Sequence, residues 1–383
     1  MKKKLILYLN YITCFIAHMI PKKKTRWVFG AWFGNRISDN PYALYQSIVK
    51  AHPEIEAIWI CNDEQAGRGL GLNAVRRDSV RGIWKCLTAR VSVMNQGYLD
   101  LGSLNWIHGS YRVQLWHGVP WKKIGEDTTE ERHGLLRKMS HATYLFVNRC
   151  DLYISPSEET KKVVKTAFLT DVDHILEVGQ PRNEALLDTK HCEVVKRRIL
   201  RELGDYAMLA VYLPTFRDSG SASFSFADIR EQIAPVLLKY NAAMLEKKHF
   251  VDYERGGDEA MASDRIIDAT RYDTQDLLAA ADLLITDYSS CFFDFILRDK
   301  PIIHYLYDYE LYRDNDRGLY YDSSYVTAGQ VTTNQQELVS AIESALAGQD
   351  RGAERRALIR DRFATYESSR NSEIIVRRIL GSM

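Results

Sequence analysis

The chain has 383 residues, of which 46% are hydrophobic and 26% charged, with 22 Gly and 9 Pro. This composition fits a folded protein of about two domains and excludes collagen-like, disordered and many-spanning chains. Lys and Arg number 51 against 50 Asp and Glu, a net charge of +1, so the molecule is not a polybasic nucleic-acid binder.

The charge is unevenly spread. Residues 1–26 carry seven cations (Lys2, Lys3, Lys4, Lys22, Lys23, Lys24, Arg26) and no acid, leaving a net −6 for the remainder. Between the lysine clusters runs Leu5–Ile20, apolar except for Asn10, Thr13 and His18. It is short of the ~20 apolar residues that a membrane span needs, and the following PKKKTRW offers no small-residue cleavage site. Residues 1–26 therefore read as a basic amphipathic segment lying on a membrane surface, each nearby cation contributing ~1 kcal/mol on an anionic leaflet. A first helix packed on its own core is the alternative. All seven tryptophans fall within the first 121 residues, which points to the amino-terminal half as the membrane side. The six cysteines have no CxxC or zinc spacing and read as reduced structural thiols.

Short apolar runs then alternate with helical patterns. RWVFGAW, EAIWIC, RVSVMNQ, YRVQLWHG and DLYISPS read as strands, with PYALYQSIVKAH among the helices between them. After the polar helical stretch TKHCEVVKRRILREL a second series begins, with strands in AMLAVYLPTF, AAMLEKKHF, ADLLITDYSS and KPIIHYLYD. Runs such as VQLW and LLIT, apolar on both faces, suit parallel sheets covered by helices. The expectation is an α/β chain with two facing Rossmann-like domains, 27–190 and 191–383, and a ligand cleft outside the carboxyl ends of the strands. ELVSAIESALAGQ and ERRALIRDRFATYE read as closing helices.

Some features are set aside. Gly67, Gly69 and Gly71 lack the GxGxxG spacing and read as a turn, and no HExxH, P-loop or GxSxG is present. Asp171–Asp173 and Asp314–Asp316 each have the DxD pattern that holds a divalent ion in some sugar-nucleotide transferases, a pattern that also arises by chance.

Four clusters carry chemistry. In QLWHGVPWKKIG a strand releases His117 at its carboxyl edge, with Lys122 and Lys123 close behind; a neutral imidazole there can take a proton from an attacking hydroxyl. In LLITDYSSCFFDF a strand, a turn and a helix from about Cys291 place Ser289 and Ser290 at a helix amino terminus, where free N–H groups suit a phosphate. Plain helix capping is the competing reading. YLPTFRDSG puts Arg217 after a strand, able to pair a phosphate or simply Asp218. MLEKKHF puts His249 after another.

Together WHGVPWKKIG, SPSEETKKVVKTAF, GQPRNEALL, YLPTFRDSG, ITDYSSCFFDF and KPIIHYLYDYELYRDNDRGLYYD, over about residues 113–322, resemble the CDP-glycerol glycerophosphotransferase family of teichoic-acid and capsular-polymer enzymes. The resemblance implies a GT-B fold, a peripheral position on the cytosolic face of the membrane, and transfer of glycerol phosphate, or in relatives ribitol phosphate, from a CDP-activated donor to a lipid-linked saccharide or polyol-phosphate acceptor. On this resemblance residues 27–190 are the acceptor and membrane side and 191–383 bind the CDP donor. His117 matches the histidine of the WHG motif, a proposed base, and His249 a second histidine, although Phe250 stands where the family has proline. Ser289 and Ser290 match the serine pair at the donor diphosphate. Arg317 and Asp322 lie in the RG-aromatic block, which is assigned with Arg217 to the donor diphosphate, and Lys122 and Lys123 to acceptor or phosphate. No cofactor or metal is expected. The alternatives are a CDP-ribitol enzyme, a metal-dependent sugar transferase using Asp314 and Asp316, and a non-enzymatic CDP-binding scaffold. The first 112 residues match no named block.

Overall fold

A computed structural model of the chain describes residues 2–128, 145–215, 224–247, 265–309 and 318–383. The chain folds as two compact units: Met1–His117 with Ile124–Glu184 and Tyr366–Met383, and Gly118–Lys123 with Ala185–Thr365. Each is built on one wholly parallel sheet.

The first sheet runs in the order β3-β2-β1-β4-β5-β6-β7. Its strands are β1 (Lys23–Phe29), β2 (Glu56–Cys61), β3 (Ala74–Arg76), β4 (Ala89–Met94), β5 (Tyr111–Gln114), β6 (Leu152–Ser155) and β7 (Ile175–Glu177). Trp27, Phe29, Trp59, Val91, Val93, Val113 and Ile154 form one buried face. The helix Asn371–Gly381 seats Ile375, Val376 and Ile379 on that same core, returning the chain to the first unit after the second. Apolar surface of this kind stabilises by about 25 cal/mol per Å² removed from water.

The second sheet runs β10-β9-β8-β11-β12-β13. Its strands are β8 (Met208–Leu213), β9 (Ala242–Glu246), β10 (Ile266–Asp268), β11 (Leu283–Thr286), β12 (Ile302–Tyr305) and β13 (Gln330–Thr332). Both faces are covered: Leu209, Val211, Leu245 and Leu284 pack with Phe292 and Phe295, whereas Tyr212, Ile285 and Ile303 pack with Ile233, Leu237 and Ile342. In both sheets strand order reverses beside the first strand, between β1 and β4 and between β8 and β11. Such reversals leave ligand crevices at the carboxyl ends in doubly wound folds.

The apolar leader is helix α1 (Lys2–Met19). Two of its three polar interruptions face inward: the Asn10 amide donates to the Tyr98 hydroxyl and accepts from Asn105 N–H, and Thr13 is buried, whereas His18 is exposed. Tyr8, Ile12, Phe15 and Met19, one helical stripe, are 56–69% exposed. The ammonium of Lys22 donates to the carbonyls of Ala17, Leu87 and His108, pinning the carboxyl end of α1, and burial pulls its pKa down to about 8. Among the described residues no helix is long and apolar enough to cross a membrane. The six cysteines are all buried and unpaired with one another.

Residues 118–123 belong to the second unit because Trp121 is inserted there, 1% exposed. Its indole N–H donates to the Tyr321 carbonyl at 2.9 Å, and its carbonyl accepts from Tyr320 N–H. Replacing Trp121 with Ala is expected to destabilise this unit by about 3–5 kcal/mol, and with Phe by less, because the ring then stays and only the hydrogen bond is lost. Urea denaturation followed by circular dichroism measures both; a loss below about 1 kcal/mol in Trp121→Ala would contradict the anchoring.

Candidate active site

In the first unit the sequence beyond β5 is Leu115-Trp116-His117. Trp116 turns the chain in the left-handed region, φ 50°, and Gly118 follows at φ 140°, a conformation that suits only glycine. The side-chain amide of Asn40, in helix α2 (Asp39–Ala51), donates to the carbonyls of Leu115 and Trp116 and holds this turn down. The imidazole of His117 packs against two indoles, with ring centroids 4.2 Å from Trp116 and 5.0 Å from Trp32. Burial pushes its pKa down to about 4; the carboxylate of Asp39 pulls upward and the guanidinium of Arg182 pushes further down. The ring is therefore neutral near pH 7, with its ordinary value of ~6.5 displaced by the loss of water.

Around it lies a polar network that no motif announced. Asp39, φ 71°, pairs with Arg182 at 2.7 Å, both side chains being largely buried. Asp39 also accepts from the Trp32 indole and the Asn95 amide, each at 3.1 Å. Trp32 follows β1 and Asn95 follows β4, the two strands between which the first sheet reverses. Arg182 stands inside the GQPRNEALL block, and the other members fall in the stretch without recognisable blocks.

In the second unit β11 leads into Asp287-Tyr288-Ser289-Ser290. Asp287 is fully buried and accepts from the N–H and hydroxyl of Thr215, beyond β8, and from Tyr288 N–H. One carboxylate thus joins the loops beyond β8 and β11, where the second sheet reverses. Tyr288 is in the core, its hydroxyl bonded to Asp308, while both serines stay half-buried at the surface. The expected helix from Cys291 is one turn, Phe292–Phe295, passing into a 3-10 turn, Ile296–Arg298. Cys291 caps it without a side-chain bond to the helix; Ser289 Oγ accepts from Cys291 N–H at 3.4 Å, and the Ser290 carbonyl accepts from Phe293 N–H. So short a helix has little macrodipole, so an anion at this turn would be met by the N–H groups of the turn itself.

The same unit holds Lys122, Lys123 and Asp322. Lys122 bridges Leu319 in antiparallel fashion and Lys123 N–H donates to the Gly318 carbonyl. Asp322, exposed, precedes the helix Ser323–Val326 without bonding to it through its side chain. Trp121 contacts Tyr288, ring centroids 5.9 Å apart, and so links this ribbon to the serine turn. His304, fully buried on β12, accepts from Ala328 N–H. Arg217, His249 and Arg317 lie outside the described residues, as do Asp314–Asp316. Asp171 and Asp173 are exposed beside a 3-10 turn, and no cluster of three metal-binding side chains occurs among the described residues.

Comparison with known proteins bears on what these edges do. A teichoic acid glycerol-phosphate transferase of Staphylococcus aureus is 28% identical, covering 98% of this chain and 98% of its own length. A teichoic acid poly(glycerol phosphate) polymerase of Bacillus spizizenii is 27% identical over 100% of this chain and 98% of its own length. Among solved structures, the wall teichoic acid polymerase TagF superposes with a TM-score of 0.82 at 23% identity, covering 99% of this chain and 95% of that one, so the GT-B-like fold is shared. The sequence profile of the CDP-glycerol:poly(glycerophosphate) glycerophosphotransferases matches residues 12–381, and the chain belongs to that family.

Proposed function

We propose that the protein transfers glycerol phosphate from CDP-glycerol to a hydroxyl of a lipid-linked or polyol-phosphate acceptor in the synthesis of a teichoic-acid-type polymer. The acceptor oxygen attacks the β-phosphorus, the bridging bond to the α-phosphate breaks, CMP leaves, and a phosphodiester forms. His117 takes the hydroxyl proton. Phosphoryl transfer depends chiefly on positioning and on charge placed in advance. The Ser289–Ser290 turn, with Asp322 and with Arg217, His249 and Arg317 beyond the described residues, is assigned to the donor diphosphate; Lys122 and Lys123 add positive charge for the acceptor or a phosphate. The observation that carries this reading is the His117 imidazole, packed against Trp116 and Trp32 just beyond the carboxyl end of β5, in a chain matched by the family along almost its whole length.

His117→Ala is expected to cut CMP release by about 10²–10⁴-fold with the fold intact by circular dichroism. Near-normal turnover would remove the base from the scheme. Because the imidazole is neutral down to about pH 4, turnover should be set by other groups between about pH 6 and pH 8 and fall as the pH approaches 4. A protonation limb near the ordinary histidine value would place the ring in water. Incubation with equal CDP-glycerol and CDP-ribitol, followed by product mass, separates the two donors; preferential ribitol transfer would reassign the substrate.

The outward stripe of α1, Tyr8, Ile12, Phe15 and Met19, supports attachment to the cytosolic face of the membrane. Changing Ile12 and Phe15 together to Asp should lower binding to anionic vesicles by roughly 10²-fold, since each such side chain contributes about 1.5–3 kcal/mol when buried. Unchanged sedimentation with vesicles would argue against this face.

A further inference from the structure

Among the described residues, eight other than glycine have a positive φ, and four of these, Trp32 (50°), Phe33 (59°), Asp39 (71°) and Trp116 (50°), fall in the two segments that meet at His117. Left-handed backbone at non-glycine residues costs on the order of 1–3 kcal/mol each and persists only where surrounding contacts impose it. Those contacts are explicit. Asn95 accepts from Trp32 N–H at 3.1 Å, and fully buried Asp100 accepts from Phe33 N–H at 2.8 Å and from the N–H groups of Asn95 and Gln96. Asp39 takes the Trp32 indole proton, the Asn95 amide, the Asn40 N–H and the guanidinium of Arg182. The indole of Trp32 is thus fixed both at its backbone nitrogen and at its ring nitrogen. Its ring is tilted 38° to that of His117, while Trp116 stacks on His117 at 28°.

We propose that Trp32 is a positioning residue for His117: its indole, held by the Asp39–Arg182 pair, closes an aromatic clamp that fixes the imidazole and keeps water off its faces. The inference rests on His117 being the base. An imidazole free to turn about its side-chain bonds would present its proton-accepting nitrogen only part of the time, and misplacement by about 1 Å can cost ~10²-fold in rate. The charged groups acting on the ring are Asp39 from α2 and Arg182 from the turn Pro181–Asn183; they oppose each other, so exclusion of water is what chiefly keeps the ring neutral.

The test uses the full chain and four variants, Trp32→Leu, Trp32→Phe, Asp39→Asn and His117→Asn. It measures kcat and KM for CDP-glycerol by CMP release, and the imidazole titration by NMR of histidine-labelled protein. The His117 signal is identified by its loss in His117→Asn. The expected result for Trp32→Leu is a kcat lower by roughly 10²-fold, a donor KM within about twofold, and a titration midpoint moved upward as water reaches the ring. Trp32→Phe, which keeps an aromatic face, should recover to within about tenfold of the parent. Asp39→Asn should move the midpoint downward, because a negative charge that favours the protonated form is gone while Arg182 remains. If Trp32→Leu fails to fold, Trp32→Phe and Asp39→Asn carry the test. A folded Trp32→Leu with parental kcat, where His117→Asn is inactive, would overturn the clamp and leave the base standing. Should His117→Asn itself turn over normally, the base assignment falls, and a His117 midpoint unmoved in all Trp32 and Asp39 variants would overturn the clamp as well.

Discussion

Reversal of strand order in a parallel sheet sends neighbouring chains in opposite directions and leaves their carboxyl-terminal backbone groups without a ladder partner. Here buried polar side chains take up those groups. In the first sheet Asn95 accepts from Trp32, and Asp39 binds both. In the second, Asp287 receives Thr215 and Tyr288. A buried carboxylate is tolerable only when donors surround it, and each of these has several. Ser289–Ser290 follow the second bridge directly and the His117 ring packs on Trp32 of the first, so their placement follows from the solution to a backbone problem.

This explains which parts of the molecule were legible beforehand. The long central strands announce themselves: Trp27-Val28-Phe29, Ile58-Trp59-Ile60 and Leu283-Leu284-Ile285 are apolar on both faces because helices cover both. The edge strands Ala74–Arg76, Ile175–Glu177, Ile266–Asp268 and Gln330–Thr332 have three residues each, too few for any periodicity to register. The polar helix TKHCEVVKRRILREL coincides with Thr189–Leu203 because Asp188 caps its start and Gly204 ends it. The glycine cluster, expected as a turn, is so only in part: Gly67 and Gly69 close the short helix Glu64–Gly69, and Gly71, φ 77°, lies in the turn that follows. Serine capping after β11 is weaker than the pattern Tyr-Ser-Ser before a hydrophobic run suggests, since the helix lasts only one turn.

The site was legible in the same uneven way. His117 and the serine pair sit in long motif blocks. Trp32, Asp39 and Asn95 do not, because their contribution is tertiary: 56 residues separate Asp39 from Asn95, which share one carboxylate oxygen contact, and 143 separate Asp39 from Arg182. The seven tryptophans likewise divide by environment and not by position. Trp27, Trp59 and Trp121 are core, Trp32 and Trp116 pack on the imidazole, Trp106 is half-buried, and Trp84 is 54% exposed. In α1, Asn10 and Thr13 look in the linear sequence like defects in an apolar run; they are the side by which the helix grips the protein.

The interleaving of the two units has a bearing on biogenesis. The core of the first sheet is not fully covered until Ile375, Val376 and Ile379 arrive, and by then Ala185–Thr365 has already been made. The second unit can therefore mature while the first is still missing a layer. A nascent chain halted before Tyr366 would carry a naked patch of Trp, Phe and Val, an invitation to chaperones and proteases.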